Sequence, residues 1–362
     1  MNAKKIRVAV VYGGRSSEHS VSCVSAGAIM AHLDPQAYEV IPIGITRDGA
    51  WTKGTTEGLE IIDGRMPEVE FDEELTLSVN PHTRGQFYNV TRGEVHAEVD
   101  VIFPVLHGPF GEDGTVQGLF ELSGIPYVGT GVLSSAAGMD KEFTKKLMVA
   151  EGLPVTAEVI LREGAELDDA QKDRLGLPVF VKPARGGSSI GISKVTDWAD
   201  LPAAVELARE SDSKVIVEAE IHGDEVEVGV LQYPDGRVVA SVPAKLNGTE
   251  DSDEGFYGFE TKYLDDVVSP TIPAPFDEET TQALQDMALK TFQALDCKGL
   301  SRVDFFVTDR GPVLNEINTM PGFTPISMFP QVFKASGVSY EELLDTLVRN
   351  ALAHHAGVYS AQ

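Results

Sequence analysis

Cysteine is scarce. Cys23 and Cys297 are the only two, far apart and in no CxxC pair, which argues against a disulfide framework. The pattern suits a reducing compartment with both thiols as buried structural residues. Long apolar runs are missing too. None approaches transmembrane length, and Val8 to Val11, after the N-terminal lysines, is too short for a signal-peptide core. Basic charge is in short supply: 29 Lys and Arg against 56 Asp and Glu leave a net charge of −27. A phosphate backbone demands a basic surface, so a nucleic-acid partner is not expected. The same field repels a nucleotide at long range. Any nucleotide site must therefore be built from local cations, and each well-placed Lys or Arg becomes informative. Neither GxGxxG nor the Lys of a P-loop is present. What remains is ordinary for a soluble, cytoplasmic protein, with 42% hydrophobic and 23% charged residues. A chain of 362 residues has room for two or three domains.

One stretch organises the rest. Gly299 to Val307 and Pro312 to Asn318 are apolar runs with period-two alternation around a short polar break, which predicts a β-hairpin. A three-residue loop, Asp309 to Gly311 with Gly311 left-handed, sets Asp304 opposite Glu316 and Arg302 opposite Asn318. All four polar side chains then share one face, and Val303, Phe305, Val307 and Ile317 take the other. Asp304, Glu316 and Asn318 offer the hard oxygens that Mg²⁺ takes while keeping waters and phosphates in its other positions. Arg302 beside them suits charge developing on a transferring group. A solvated sheet face would show the same alternation. The stiff run Thr319 to Pro325 that follows, punctuated by Gly and Pro, favours a site.

The chain opens with a strand (6–12), a Gly-Gly-Arg-Ser-Ser turn and a helix from about Glu18 to Leu33. Glu18 at the helix mouth serves the helix dipole or faces a substrate ammonium at the sheet's carboxyl edge. Residues 46–96 read as a small inserted β segment with strand-like runs near 59–62, 75–79 and 86–90. A buried strand (99–106) runs into His107 and a Gly-rich loop, where His107 is either structural or at the ligand edge. A helix (115–123) and a strand (127–129) end the first domain near residue 132. One helix (134–151), carrying Lys141, and strands 153–161 and 177–182 follow. The second of these strands delivers Lys182 to the loop from Ala184 to Ile192, with Ser188 and Ser189 inside it. Small residues let backbone N–H groups approach phosphate oxygens, so this strand–loop–strand reads as a phosphate lid. After a helix (198–211) and a strand (215–221), Glu218 to Ile221 offer backbone hydrogen bonds to an adenine, and Glu225 a carboxylate to a ribose. Residues 247–266 form a long loop bearing aromatics, either a functional lid or a mobile segment. Helices at 278–295 and 340–352 complete the chain.

Together, Gly13 to Glu18, Leu106-His107-Gly108, Met139-Asp140-Lys141, Val181-Lys182-Pro183 with the loop to Gly191, Lys262-Tyr263, Arg302-Val303-Asp304 and Asn315 to Thr319 resemble the D-alanine–D-alanine ligases of the ATP-grasp superfamily, colinearly from about residue 6 to 350. The resemblance implies an α/β fold, α+β toward the C-terminus: a three-domain ATP-grasp architecture with an open parallel N-terminal α/β domain. The domains implied are 1–132, 133–221 and 222–362, with ATP between the last two. It implies that ATP activates one D-alanine as an acyl phosphate, which the amine of a second attacks. Asp304, Glu316 and Asn318 would hold two Mg²⁺ or Mn²⁺ ions. Lys141, Lys182 and Ser189 would hold phosphates. Glu218, Ala219, Ile221 and Glu225 would hold the nucleoside. Arg302 and the Gly322 N–H would stabilise a tetrahedral oxyanion. Glu18 would bind the first ammonium, with His107 near that substrate. Lys262, Ser327 and Met328 would receive the second carboxylate. Glu18, Ser188 and Tyr263 would form a hydrogen-bonded trio, and the chain would be a homodimer. Relatives that make depsipeptides look different at Lys262-Tyr263, so an amine nucleophile is expected. Ala219 and Glu220 depart from the Lys and aromatic often found there. Competing readings are another ATP-dependent carboxylate–amine ligase, a nicotinamide dehydrogenase, which the missing GxGxxG opposes, and a non-catalytic nucleotide-binding regulator.

Overall fold

The computed structural model describes residues 4–187, 190–248 and 269–354, arranged around four sheets. In the first, β1 (Ile6–Gly13) lies between β2 (Tyr38–Ile45) and β7 (Val101–Val105), all parallel, and β3 (Trp51–Lys53) adds antiparallel to β2. β7 is buried along its whole length, as a strand covered on both faces must be. Helix α1 (His19–His32) follows β1 and α2 (Thr115–Ser123) follows β7. The run at 127–129 makes only a single bridge, Tyr127 to Ile102, rather than a strand. Between β3 and β7, β4 (Leu75–Leu77), β5 (Gln86–Asn89) and β6 (Glu94–Glu98) form a separate antiparallel sheet. The run near 59–62 does not join it, and Ile62 bridges only to Arg65.

The expected helix over 134–151 is two helices, α3 (Val132–Met139) and α4 (Lys141–Ala150). The chain breaks at Asp140, which takes extended dihedrals (φ −92°, ψ 101°). Lys214 fixes the break by donating to both Asp140 oxygens at 2.7 and 2.5 Å and to Glu142 at 2.8 Å. Apolar periodicity runs through the break, because both helices pack on one core, and so conceals it.

The second sheet is antiparallel, in the order β10 (Ser193–Val195), β9 (Val179–Pro183), β11 (Val215–Ala219), β8 (Glu158–Leu161). Val159, Val179, Val181, Val215 and Val217 pack beneath it against α6 (Leu201–Arg209). Alternation therefore turns Glu158, Phe180, Lys182, Lys194 and Glu218 to the opposite face. Helix α5 (Asp169–Leu175) was not expected; a capping box starts it, Gln171 N–H to Asp168 at 2.7 Å and Asp168 N–H to Gln171 at 3.0 Å.

The third sheet runs β15 (Ser269–Thr271), β14 (Ala244–Asn247), β12 (Asp224–Gln232), β16 (Leu300–Thr308), β17 (Gly311–Asn318), with β13 (Val238–Ala240) on β12. The hairpin exists, with the expected pairing at its far end: Arg302 faces Asn318 and Asp304 faces Glu316. Its turn differs. Thr308 pairs with Gly311, so the loop is the two residues Asp309 and Arg310, and a β-bulge between Asp304 and Phe305 supplies the missing residue. The bulge has a second effect. Leu314 and Glu316 are two apart and would share a face in a regular strand. The irregularity lets Leu314 stay in the core with Val303 and Ile317 while Glu316 faces the cleft.

Helices α7 (Glu278–Ala294), α8 (Met328–Ala335) and α9 (Tyr340–Ala353) complete the described chain. α8 and α9 share one core with β1 and β7: Val8, Val10 and Phe103 cluster with Phe323, Phe329 and Leu347. Phe323 meets the rings of Phe103, Phe329 and Tyr340 at 6.0, 5.6 and 5.9 Å between centroids. Phe323→Ala is expected to cost about 3–5 kcal/mol in urea unfolding. A loss under about 1 kcal/mol would mean that this core does not join the first sheet to the C-terminal helices.

Candidate active site

The face of β16 and β17 opposite the core carries one polar row. Arg302 donates to Asp304 through two parallel bonds, Nε to Oδ1 at 2.8 Å and Nη2 to Oδ2 at 2.7 Å. On its other side Arg302 Nε lies 3.0 Å from Glu227, which β12 sets directly opposite Asp304. Asn318 Nδ2 donates to Asp304 at 3.0 Å. Lys141, just past the break between α3 and α4, reaches Glu316 at 3.3 Å and donates to the Gly186 carbonyl at 2.9 Å. Two directly opposed carboxylates and an amide thus share one face, and cations already rest on both carboxylates. Among the described residues, no three or more His, Cys, Asp or Glu side chains gather into a metal cage. This donor set fits hard divalent ions that take their remaining oxygens from phosphates and water, and does not fit a structural metal.

The exposed face of the second sheet makes the facing wall. Lys182 and Lys145 both close on Glu218, Lys145 also on Thr156, and Glu158 stands 3.3 Å from Lys145. Burial holds Lys182 well below the usual lysine range, with the Lys145 and Lys141 charges adding to it. Burial lowers Lys145 to about 8. An ammonium at Lys182 thus gains strongly from an arriving anion. Phe180, Leu246 and Phe306 give this end apolar walls.

The first sheet's carboxyl edge closes the third side. Glu18 lies just before α1, so close to two loops that a β-carbon on Gly108 or Gly187 would stand 3.1 or 3.3 Å from its carboxylate. His107 Nδ1 pairs with the Met320 carbonyl at 3.0 Å, so Nδ1 carries the proton. Burial lowers its pKa and keeps the ring neutral. Nε2 then holds a lone pair with no hydrogen-bond partner among the described residues. Glu112, which sequence reasoning missed, accepts from Gly108 N–H at 2.7 Å and Met320 N–H at 3.0 Å. Burial first, then the Glu18 charge, push it up to about 8 from its ordinary 4.5. Its folded pKa exceeds the unfolded value, so its stabilising contribution is complete below about 4.5 and is lost as pH rises through about 8. The stability advantage of the native chain over Glu112→Gln should therefore shrink between about pH 5 and about pH 8.5 in urea titrations. A pH-independent difference would contradict this.

These walls enclose a cavity of about 620 Å³. Glu18, His107, Lys141 and Lys182 line it, as do Glu218, Ala219, Ile221 and Glu225. So do Arg302, Asp304, Glu316, Asn318 and Gly322. Ser327 and Met328 are not among its lining residues. Ser327 caps the turn before α8, its Oγ accepting from Thr324 N–H at 3.0 Å, and Met328 packs on the core of the first sheet. Ser188, Ser189, Lys262 and Tyr263 lie outside the described residues. Besides Glu112, the sequence reading passed over Glu227 and Lys145. Glu227 alternates with β12's core valines at the spacing that singled out Asp304. Lys145 sits beside the solvated Lys146 in α4, and nothing local separates the two.

Residues 7–130 match the family profile described as D-ala D-ala ligase N-terminus, and residues 145–349 that described as D-ala D-ala ligase C-terminus. The chain is 70% identical over 353 residues to the D-alanine--D-alanine ligase of Corynebacterium efficiens, covering 97% of this chain and 98% of the relative. Among solved structures, the VanG D-Ala:D-Ser ligase of Enterococcus faecalis superposes with a TM-score of 0.82 at 37% identity, covering 96% of this chain and all of that one. The D-alanine--D-alanine ligase of Bacillus anthracis complexed with ATP gives 0.71 at 28% identity, covering 96% of this chain and 97% of that one.

Proposed function

The chain belongs to the D-alanine–D-alanine ligase family, and on that footing we propose how its residues divide the work. It joins two D-alanines at the expense of ATP, for peptidoglycan precursor synthesis, through an acyl phosphate and with release of ADP and phosphate. The observation that carries the assignment of roles is the convergence of Arg302, Asp304, Glu316 and Asn318 opposite Lys182 across one cavity.

Lys141 and Lys182 hold the phosphates, with Ser189 from the loop beside them. Each lysine leaves a carboxylate, Glu316 or Glu218, when a more highly charged anion arrives. Glu218, Ala219 and Ile221 meet the base, and Glu225 the ribose. Asp304, Glu316 and Asn318 would hold two Mg²⁺ or Mn²⁺ ions, whose charge would offset that of the phosphates. Glu18 and the free Nε2 of His107 accept from the first D-alanine's ammonium, turning its carboxylate toward the phosphates. Arg302 and the Gly322 N–H stabilise the oxyanion formed when the second amine attacks. Lys262 with Ser327 and Met328 takes the second carboxylate. Glu18, Ser188 and Tyr263 join three parts of the chain as the site closes and excludes water. The protein acts as a cytoplasmic homodimer, with no nucleic-acid or membrane partner. Among the described residues, no helix is long and apolar enough to cross a membrane.

Phosphate release with ATP, Mg²⁺ and a panel of D-alanine, D-serine, D-lactate and L-alanine tests the reading. Turnover is expected with D-alanine alone. The D-Ala:D-Ser relative makes D-serine as second substrate the informative comparison. Turnover on L-alanine and none on D-alanine would end it.

A further inference from the structure

Lys145 has no part in the reaction laid out above, yet its side chain is only 2% exposed. Burying an ammonium is costly unless something requires the charge. It reaches from α4 to one oxygen of Glu218 and to Thr156, with Glu158 3.3 Å away, while the other Glu218 oxygen carries Lys182. The two lysines are not equivalent. Lys182 lines the cavity at the edge of the 184–192 loop, where phosphates can draw it away. Lys145 is not in the lining, although its partners Thr156 and Glu218 are, so it stays behind when Lys182 leaves. The apolar walls Phe180, Leu246 and Phe306 lie at the same end, and the two rings suit a base.

Resting on the nucleotide reading above, we propose that Lys145 is a positioning residue for base selection. It is the countercharge that stays beside Glu218 and keeps it a hydrogen-bond acceptor once Lys182 has turned to the phosphates. The pocket then takes a purine with an amino group at C6 and rejects one with an oxo group, whose oxygen would face a carboxylate. Without Lys145, the Glu218 carboxyl is buried with no fixed cation and is left to take up a proton. It can then donate to a 6-oxo group, and the selection fails.

The test compares kcat/KM for ATP and for inosine triphosphate, which differ at C6, at saturating D-alanine. The native protein should favour ATP about ten- to hundredfold. In Lys145→Met the preference should fall to about threefold or less, with KM for ATP raised and KM for D-alanine unchanged. A lysine needed only for folding would lower thermal stability and the active fraction. It would leave the ratio untouched, because the active fraction divides out, and an unchanged ratio overturns the proposal. Lys145→Gln, which keeps a donor without the charge, serves if the Met variant does not fold and should lose the preference likewise. Glu218→Gln should lose it too, since its amide can donate to an oxo group, and full retention there counts against the proposal. Equal use of both triphosphates by the native protein overturns it with no variant needed. Failure of the native protein to turn over ATP with D-alanine would instead remove the functional reading beneath it.

Discussion

Arg302→Met is expected to lower kcat about 10²- to 10³-fold, with a much smaller change in KM for either substrate. The guanidinium bridges Asp304 and Glu227, both nearly buried, so its position is set before any substrate arrives. In the role proposed for it, such a preorganised donor would stabilise charge that appears only in the transition state, and its loss would fall on kcat rather than on ground-state binding. The substitution also leaves two carboxylates facing each other across β12 and β16 without their shared cation. A fall in thermal stability should accompany the loss of rate. Arg302→Lys separates the two effects. An ammonium restores the charge but cannot make both parallel bonds to Asp304 while also reaching Glu227. Stability should largely return while kcat stays well below that of the native protein. Full recovery of kcat in Arg302→Lys would reduce Arg302 to a structural countercharge, and the oxyanion role would fall to Gly322 alone.

The sequence revealed most where side-chain chemistry and period-two alternation agree. Arg302, Asp304, Glu316 and Asn318 were legible as one face, and the structure pairs them so. The route to that pairing was not legible. Counting back from a three-residue loop gave the right partners because the bulge beside Glu316 restores the residue that the shorter turn removes. A bulge has no composition signal here, although one clue was present: Leu314 and Glu316 have the same parity and incompatible polarity. The break at Asp140 was hidden for a related reason. Its cause, Lys214, lies 74 residues away and is bonded to it only after folding. Glu112 and Lys145 illustrate the remaining blind spot. Each is an unremarkable polar residue in a loop or helix until burial and distant partners, Met320 for one and Glu218 for the other, shift its chemistry. Ser327 was named from resemblance alone, and in the structure its Oγ accepts from Thr324 N–H in the turn before α8.

Glu316→Ala is expected to abolish turnover, with kcat down at least about 10³-fold, while leaving nucleotide binding nearly intact. The two quantities separate because the groups do. Lys141 and Lys182 would carry the phosphates, whereas Glu316 would be one of two carboxylates in the row assigned to the divalent ions. Removing Glu316 also frees Lys141 from its 3.3 Å ion pair, which makes that lysine more available to an anion. The rise in thermal midpoint on adding ATP should therefore persist in the variant, although the activity does not. Glu316→Asp keeps the charge but shortens the reach by one methylene. It should retain partial activity and need a higher Mg²⁺ concentration for half-maximal rate, a dependence that a residue needed only for folding would not produce. If Glu316→Ala kept a rate within tenfold of the native protein, the β16–β17 row could not be the site of phosphoryl transfer. The pairing of Asp304 with Glu316 would then be an ordinary feature of a sheet edge, and the lysines on the facing wall would bind nucleotide for some other purpose.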